Sequence, residues 1–178
     1  METFNRRFIL LAIWVICDTA AASHHKSVKD NSTRITCSSF AKKHVYTHLD
    51  TLLANEDNFM SKELPPFLVS RPPDSNGISE VRKHIKSTLK SLNWAVERDI
   101  SKQLTVLGFK RFVNIIATHN YFAPKRIVLA CHYDSKLLPL GFVGAMDSAV
   151  PCAILLQFVK TFNTILDQMR SVSHNEKP

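Results

Sequence analysis

The sequence lacks the marks of several protein classes. Its one long apolar run, Phe8 to Cys17, is too short to cross a bilayer, and no second run of that kind follows. A mature membrane-spanning protein is therefore not expected. Internal repeats and low-complexity tracts are absent, so neither a solenoid nor a low-complexity chain is expected. The net charge of +8 is scattered rather than gathered into a basic run, and no aromatic residues alternate with it. Lys83, Lys86 and Lys90 lie on one side of an expected helix whose other side is apolar, as on a solvated face. No nucleic-acid partner is expected. What is present is 178 residues, 45% hydrophobic and 21% charged, the make-up of a single globular domain.

The N-terminus reads separately from that domain. Arg6 and Arg7 precede the Phe8–Cys17 run, and Ala20-Ala21-Ala22 has Ala-x-Ala spacing, so residues 1–22 are expected to be a signal peptide cleaved after Ala22. A buried N-terminal helix is the plainer alternative. Secretion to the extracellular space follows as the expectation, with no membrane attachment after cleavage. Asn31-Ser32-Thr33 is an acceptor for N-glycosylation on that route. Removing the leader takes Cys17 and leaves Cys37, Cys131 and Cys152, an odd number in an oxidising compartment.

Residues 23–32 are polar and expected to be disordered; 33–169 form the domain, and 170–178 a polar tail. A helix is predicted from about Thr33 to Asn55, with Phe40, Val45, Leu49, Leu52 and Leu53 near a 3.6 period. Phe59 to Asn76 holds four prolines and reads as a connector. From Gly77 a second helix is predicted, with Val81, Ile85, Leu89 and Leu92 as its apolar stripe. Trp94–Ile100, Phe112–Thr118 and Arg126–Cys131 are strand-like, and the near-continuous apolar runs suggest a sheet covered on both faces. Ala149–Met169 is the last helix, with Pro151 in its first turn and Ile154, Leu155, Phe158, Phe162, Ile165 and Met169 facing inward. The order predicts the front half of an α/β sandwich.

Chemistry concentrates in Cys131-His132-Tyr133-Asp134-Ser135 and the later Gly144-Ala145-Met146-Asp147-Ser148-Ala149. Strand alternation puts His132 and Asp134 on one face and Cys131 and Tyr133 on the other. His132 and Asp134 fall at the carboxyl end of an apolar strand, the rim where open α/β sheets bind ligands. Asp147 arrives from the next loop, just before a helix. Imidazole and carboxylate are ordinary zinc ligands. A satisfied histidine and a helix-capping aspartate would explain the same pattern. Cys152 sits in the first turn of the helix that must cover Cys131, so a bridge between them would staple helix to strand; two buried thiols are the alternative.

Ile127 to Lys136, Phe142 to Ala145 and Asp147-Ser148-Ala149-Val150-Pro151-Cys152-Ala153 resemble the secreted animal glutaminyl cyclases, or glutaminyl-peptide cyclotransferases. Upstream, Pro66-Phe67-Leu68-Val69 with Arg71, then Val81-Arg82-Lys83-His84-Ile85 and Asn114 to Thr118, keep the same order of elements. The resemblance implies an incomplete three-layer α/β/α sandwich of the zinc aminopeptidase-like type, truncated after the helix that follows the first metal-ligand loop. It implies peptides or proteins with N-terminal Gln, or slowly Glu, as substrates, cyclised to pyroglutamate with release of ammonia, and Zn²⁺ as cofactor. Asp147 matches the family's first zinc ligand, and Cys131 with Cys152 its disulfide. His132 and Asp134 match the metal-binding H-x-D of related aminopeptidases and are read as supporting residues.

The rest of the family's site has no counterpart. It comes from an adjacent Glu-Glu pair on a later strand and a late histidine, whereas this chain has no Glu-Glu dipeptide. After Asp147 its acidic residues are Asp167 and Glu176 alone, and His174 lies in the tail. Met146 stands where threonine is expected, and the Lys136–Gly141 connector is short. The general-base glutamate is thus missing, and the expectation is an N-terminal half, inactive as it stands, with weak or no zinc binding. Two other readings are a zinc aminopeptidase of the same fold and a secreted non-catalytic protein that pairs through an open sheet edge.

Overall fold

The computed structural model describes residues 10–15, 56–123 and 126–175, with side chains from 57 to 123 and from 126 to 170. The helix predicted over 33–55, the glycosylation acceptor Asn31 and Cys37 lie outside the described residues, as does the 23–32 segment.

The connector opens with short helical turns at Glu56–Asn58, Phe59–Glu63 and Pro65–Phe67. Phe67 is fully buried, whereas Leu68 and Val69 beside it are exposed. Helix α1 spans Asn76–Ser91, capped by Ser75, whose side chain accepts from the Ile78 N–H at 3.2 Å. Ile78, Val81, Ile85 and Leu89 form its buried stripe. Gly77 is needed for close approach: a Cβ there would sit 2.0 Å from the Ser70 carbonyl oxygen. Strands β2 (Ala95–Thr105) and β3 (Gly108–Thr118) make an antiparallel hairpin joined through Val106 and Leu107. It is longer than the sequence suggested, because Lys102 to Lys110 carry no apolar alternation.

Strand β4 is Ile127–His132. A further strand, β1, is Leu10–Val15, inside the expected leader. The sheet order is β2-β3-β1-β4, with β1 parallel to β3 and antiparallel to β4. Helix α2 runs Val150–Asn175, past Met169, so the first residues of the expected 170–178 tail are helical.

Both helices contact the sheet and each other, and so cover the same face. That face is built from Val113, Ile115, Ala117, Cys131 and Tyr133, and α2 adds Cys152, Ala153, Leu156 and Val159. Among the described residues these are two layers of an incomplete α/β fold. The second helical layer is not among them, and Val128 on the far face is 47% exposed. Ile154, expected to face inward, is 54% exposed. Cys152 is fixed to the sheet, which sets the helix rotation and turns position 154 outward. From Ala145 to Arg170 this helical stretch is long and apolar enough to cross a membrane by length and composition. Lys160 and Asn163 interrupt its apolar run. Its buried stripe packs on the sheet as a core helix does.

Candidate functional site

Cys131 and Cys152 form the disulfide, with Cα atoms 5.6 Å apart. The bridge ties the end of β4 to the first turn of α2 and fixes both ends of the loop that carries Asp147. Strand alternation holds at this point: Cys131 and Tyr133 are buried among the helices, while His132 and Asp134 are on the other face and partly exposed.

A second tie was not foreseen. The Arg71 guanidinium is completely buried and points at backbone carbonyls. Its Nε donates to Tyr133 O at 2.9 Å, and Nη1 to Phe67 O at 2.8 Å and Val69 O at 3.1 Å. Nη1 also donates to Val143 O, and Nη2 to Gly144 O at 3.3 Å. The backbones join as well: Arg71 N donates to Ser135 Oγ at 2.9 Å, and Ser135 N to Arg71 O at 3.2 Å. One cation thus fastens the connector, the end of β4 and the loop before Asp147. Burial pulls its pKa down, and the nearby Asp134 and Asp147 oppose that. A lone arginine in a proline-rich connector was the only sequence signal.

Gly144 turns the loop into α2. It has φ +62°, and a Cβ there would meet Asp147 O at 2.4 Å. Its carbonyl accepts from Ala149 N at 3.1 Å. Asp147 and Ser148 have non-helical backbone within this turn. Met146, where threonine was expected, is 78% exposed.

The three predicted site residues meet. Asp147 Oδ1 lies 2.7 Å from His132 Nε2, and Asp134 Oδ1 lies 3.2 Å from His132 Nδ1. Ser148, missed from sequence, is buried; its Oγ is 3.1 Å from His132 Nδ1 and donates to His132 O. Asp147 therefore pairs with the histidine through its carboxylate instead of serving as a simple helix cap. Its side chain is 79% exposed, against 28% for His132 and 17% for Asp134. Burial raises the Asp134 pKa, with His132 opposing. A neutral imidazole has one N–H, so it can donate to only one of the two carboxylates at a time. The cluster can relay a proton between two acids, or offer a metal one carboxylate and one ring nitrogen.

A zinc centre asks for more. Among the described residues no three His, Cys, Asp or Glu converge to hold a metal ion. The two nearest donors, Asp147 and His132, are already hydrogen-bonded to each other. These residues do not fit a three-ligand zinc site. A shallow hollow of about 320 Å³ lies elsewhere, on α1, between Arg82, Lys83, Lys86 and Lys90.

Residues 114–174 match the model of Peptidase family M28. A glutaminyl-peptide cyclotransferase-like protein of Mus musculus is 46% identical over 112 residues, covering 60% of this chain and 29% of that protein. The glutaminyl-peptide cyclotransferase of Gloydius blomhoffii is 38% identical over 146 residues, covering 72% of this chain and 40% of that protein. The crystal structure of Macrostomum lignano glutaminyl cyclase superposes with a TM-score of 0.62 at 31% identity, over 76% of this chain and 40% of that one. The chain therefore carries part of an M28 peptidase-like α/β domain. Within that class it is homologous to the glutaminyl-peptide cyclotransferases along the stretch they share. It spans less than half the length of each of these three relatives.

Proposed function

We propose that this chain contributes the Asp147 corner of a glutaminyl-peptide cyclotransferase site, and that the 178-residue chain alone does not catalyse. The reaction of that class would convert an N-terminal glutamine to pyroglutamate: the peptide's own α-amine attacks the side-chain carbonyl, a C–N bond forms, and ammonia leaves. A proton must pass from the attacking amine to the departing nitrogen. The single observation carrying this reading is the Asp147–His132–Asp134 cluster, held between the disulfide and Arg71 in a chain related to these enzymes. Inactivity of the isolated chain is supported by the sequence after Asp147, which has no Glu-Glu pair and only Asp167 and Glu176 as acids, and by the hydrogen bond that already joins Asp147 to His132. Entry to the secretory route, with N-terminal-Gln peptides as substrates, belongs to the same proposal. It is supported by Arg6-Arg7, the Phe8–Cys17 run and a disulfide that suits an oxidising compartment.

A chimera tests it. Residues 114–174 would replace the matching segment of the Bos taurus glutaminyl-peptide cyclotransferase, a 40% identical relative, and ammonia release from a Gln-headed peptide would be followed. The chimera is expected to turn over, to lose at least about 100-fold with Asp147→Asn, and to lose about 10–100-fold with His132→Ala. An active chimera indifferent to Asp147, or turnover by the unmodified 178-residue chain, would refute the proposal.

A further inference from the structure

Strands β3 and β4 are joined by a short connection and run antiparallel, yet they do not pair with each other. Consecutive antiparallel strands usually lie side by side. Here β1 separates them, and each neighbour is about 4.8 Å from it, so without β1 the gap would be about 10 Å. Leu11 to Trp14 are in register with Ile115 to Thr118, and Leu10 to Val15 with His132 to Ile127. Among the described residues, β1 is the sole sheet neighbour of β4. The strand carrying Cys131 and His132 thus joins the sheet only through it, and His132 itself is opposite Leu10.

We propose that the gap between β3 and β4 is a strand-accepting slot whose occupant is Leu10–Val15 of the same chain. The slot takes an uncharged, apolar strand of about six residues, matching the apolar runs Val113–Thr118 and Ile127–Cys131 that flank it. Main-chain ladders on both sides supply the attachment, as in β-augmentation. The six residues also lie within the expected leader, so the two fates exclude each other in any one molecule. A chain that keeps its N-terminus closes the sheet and seats β4. A chain processed after Ala22 loses β1, leaves two facing edges unpaired, and holds β4 through its packing on α2, the Cys131–Cys152 bridge, the Ser148 bond to His132 O and the Arg71 bond to Tyr133 O.

Two experiments on the full chain decide the matter. The first introduces Ala12→Cys with Ala130→Cys, residues opposite each other in the antiparallel register, and maps cross-links by mass spectrometry. A 12–130 link alongside the native 131–152 link is expected; an equal yield from the mismatched pair Ala12→Cys with Thr105→Cys overturns the proposal. The second inserts a protease site between Ala22 and Ser23 and cleaves the folded chain. The 1–22 fragment is expected to stay bound through gel filtration, with slowed exchange of the β4 amides. A fragment that elutes apart, leaving β4 exchange unchanged, contradicts the slot. Neither readout involves turnover, so the outcome is separate from that of the cyclotransferase reading.

Discussion

The corner around Arg71 and the tip of the β2–β3 hairpin are held in opposite ways. At the corner, a disulfide and a buried cation bind four segments distant in sequence. At the tip, strand pairing and local contacts do the work: Thr105 Oγ1 donates to Gly108 O at 2.7 Å and accepts from Leu107 N at 3.1 Å. Leu104, Val106, Leu107 and Phe109 are there, from 58% to 94% exposed, and Lys102 lies 5.2 Å over the Phe109 ring. The corner places Asp147 to within one hydrogen bond of His132, whereas the tip places nothing. Precision in this fold comes from long-range ties that cost much to break, not from the amount of regular structure.

The contrast can be broken first at Arg71. Arg71→Met leaves several buried carbonyls without a donor and should destabilise by about 3–5 kcal/mol, measured by urea unfolding. Arg71→Lys should restore little, since one ammonium cannot reach three segments. If either variant matched the parent within error, the buried cation would not be the fastening. Next in size, replacing Cys131 and Cys152 together by alanine should cost about 3 kcal/mol for a loop of this length. Reduction of the parent protein should give a similar loss.

The polar parts of the core add a smaller, pH-dependent effect. His119 is buried beside Trp94, with Nε2 2.9 Å from Asp167 Oδ1, and Arg170 pairs with the same carboxylate. Burial holds its pKa below the usual value, with Asp167 opposing. Burial also lowers His84, helped by Lys160 and opposed by Glu63. The unfolded chain therefore binds more protons than the folded one below about pH 6.5, and stability should fall as pH drops through that range. Asp134 works in the reverse sense, because its carboxyl is raised by burial. His119→Gln should flatten the slope between pH 5 and 6.5, as followed by thermal melts; an unchanged slope would remove His119 from the account. Smallest of all, Val106→Thr at the tip should shift stability by no more than about 0.5 kcal/mol.

The same contrast separates what could be read in the sequence from what could not. The α1 stripe, the β3 and β4 runs and the Asp147 loop were legible because short-range periodicity and motif spacing record them. The facing of His132 and Asp134 away from Cys131 followed from strand alternation alone. The Arg71 fastening was not legible, since its partners are carbonyls, which any residue supplies. Nor was the exposure of Ile154: helical periodicity places a stripe, but the disulfide sets its rotation. The hairpin tip escaped because its pairing is held by backbone rather than by apolar alternation. The strand at Leu10–Val15 was not legible either, because an apolar run is equally suited to a leader and to a central strand.

Equilibrium dialysis of the full chain against micromolar free Zn²⁺, beside Asp147→Asn, tests most directly whether Asp147 and His132 form only part of a metal centre. No stoichiometric zinc is expected on either protein. One zinc held per parent chain and lost in Asp147→Asn would contradict it.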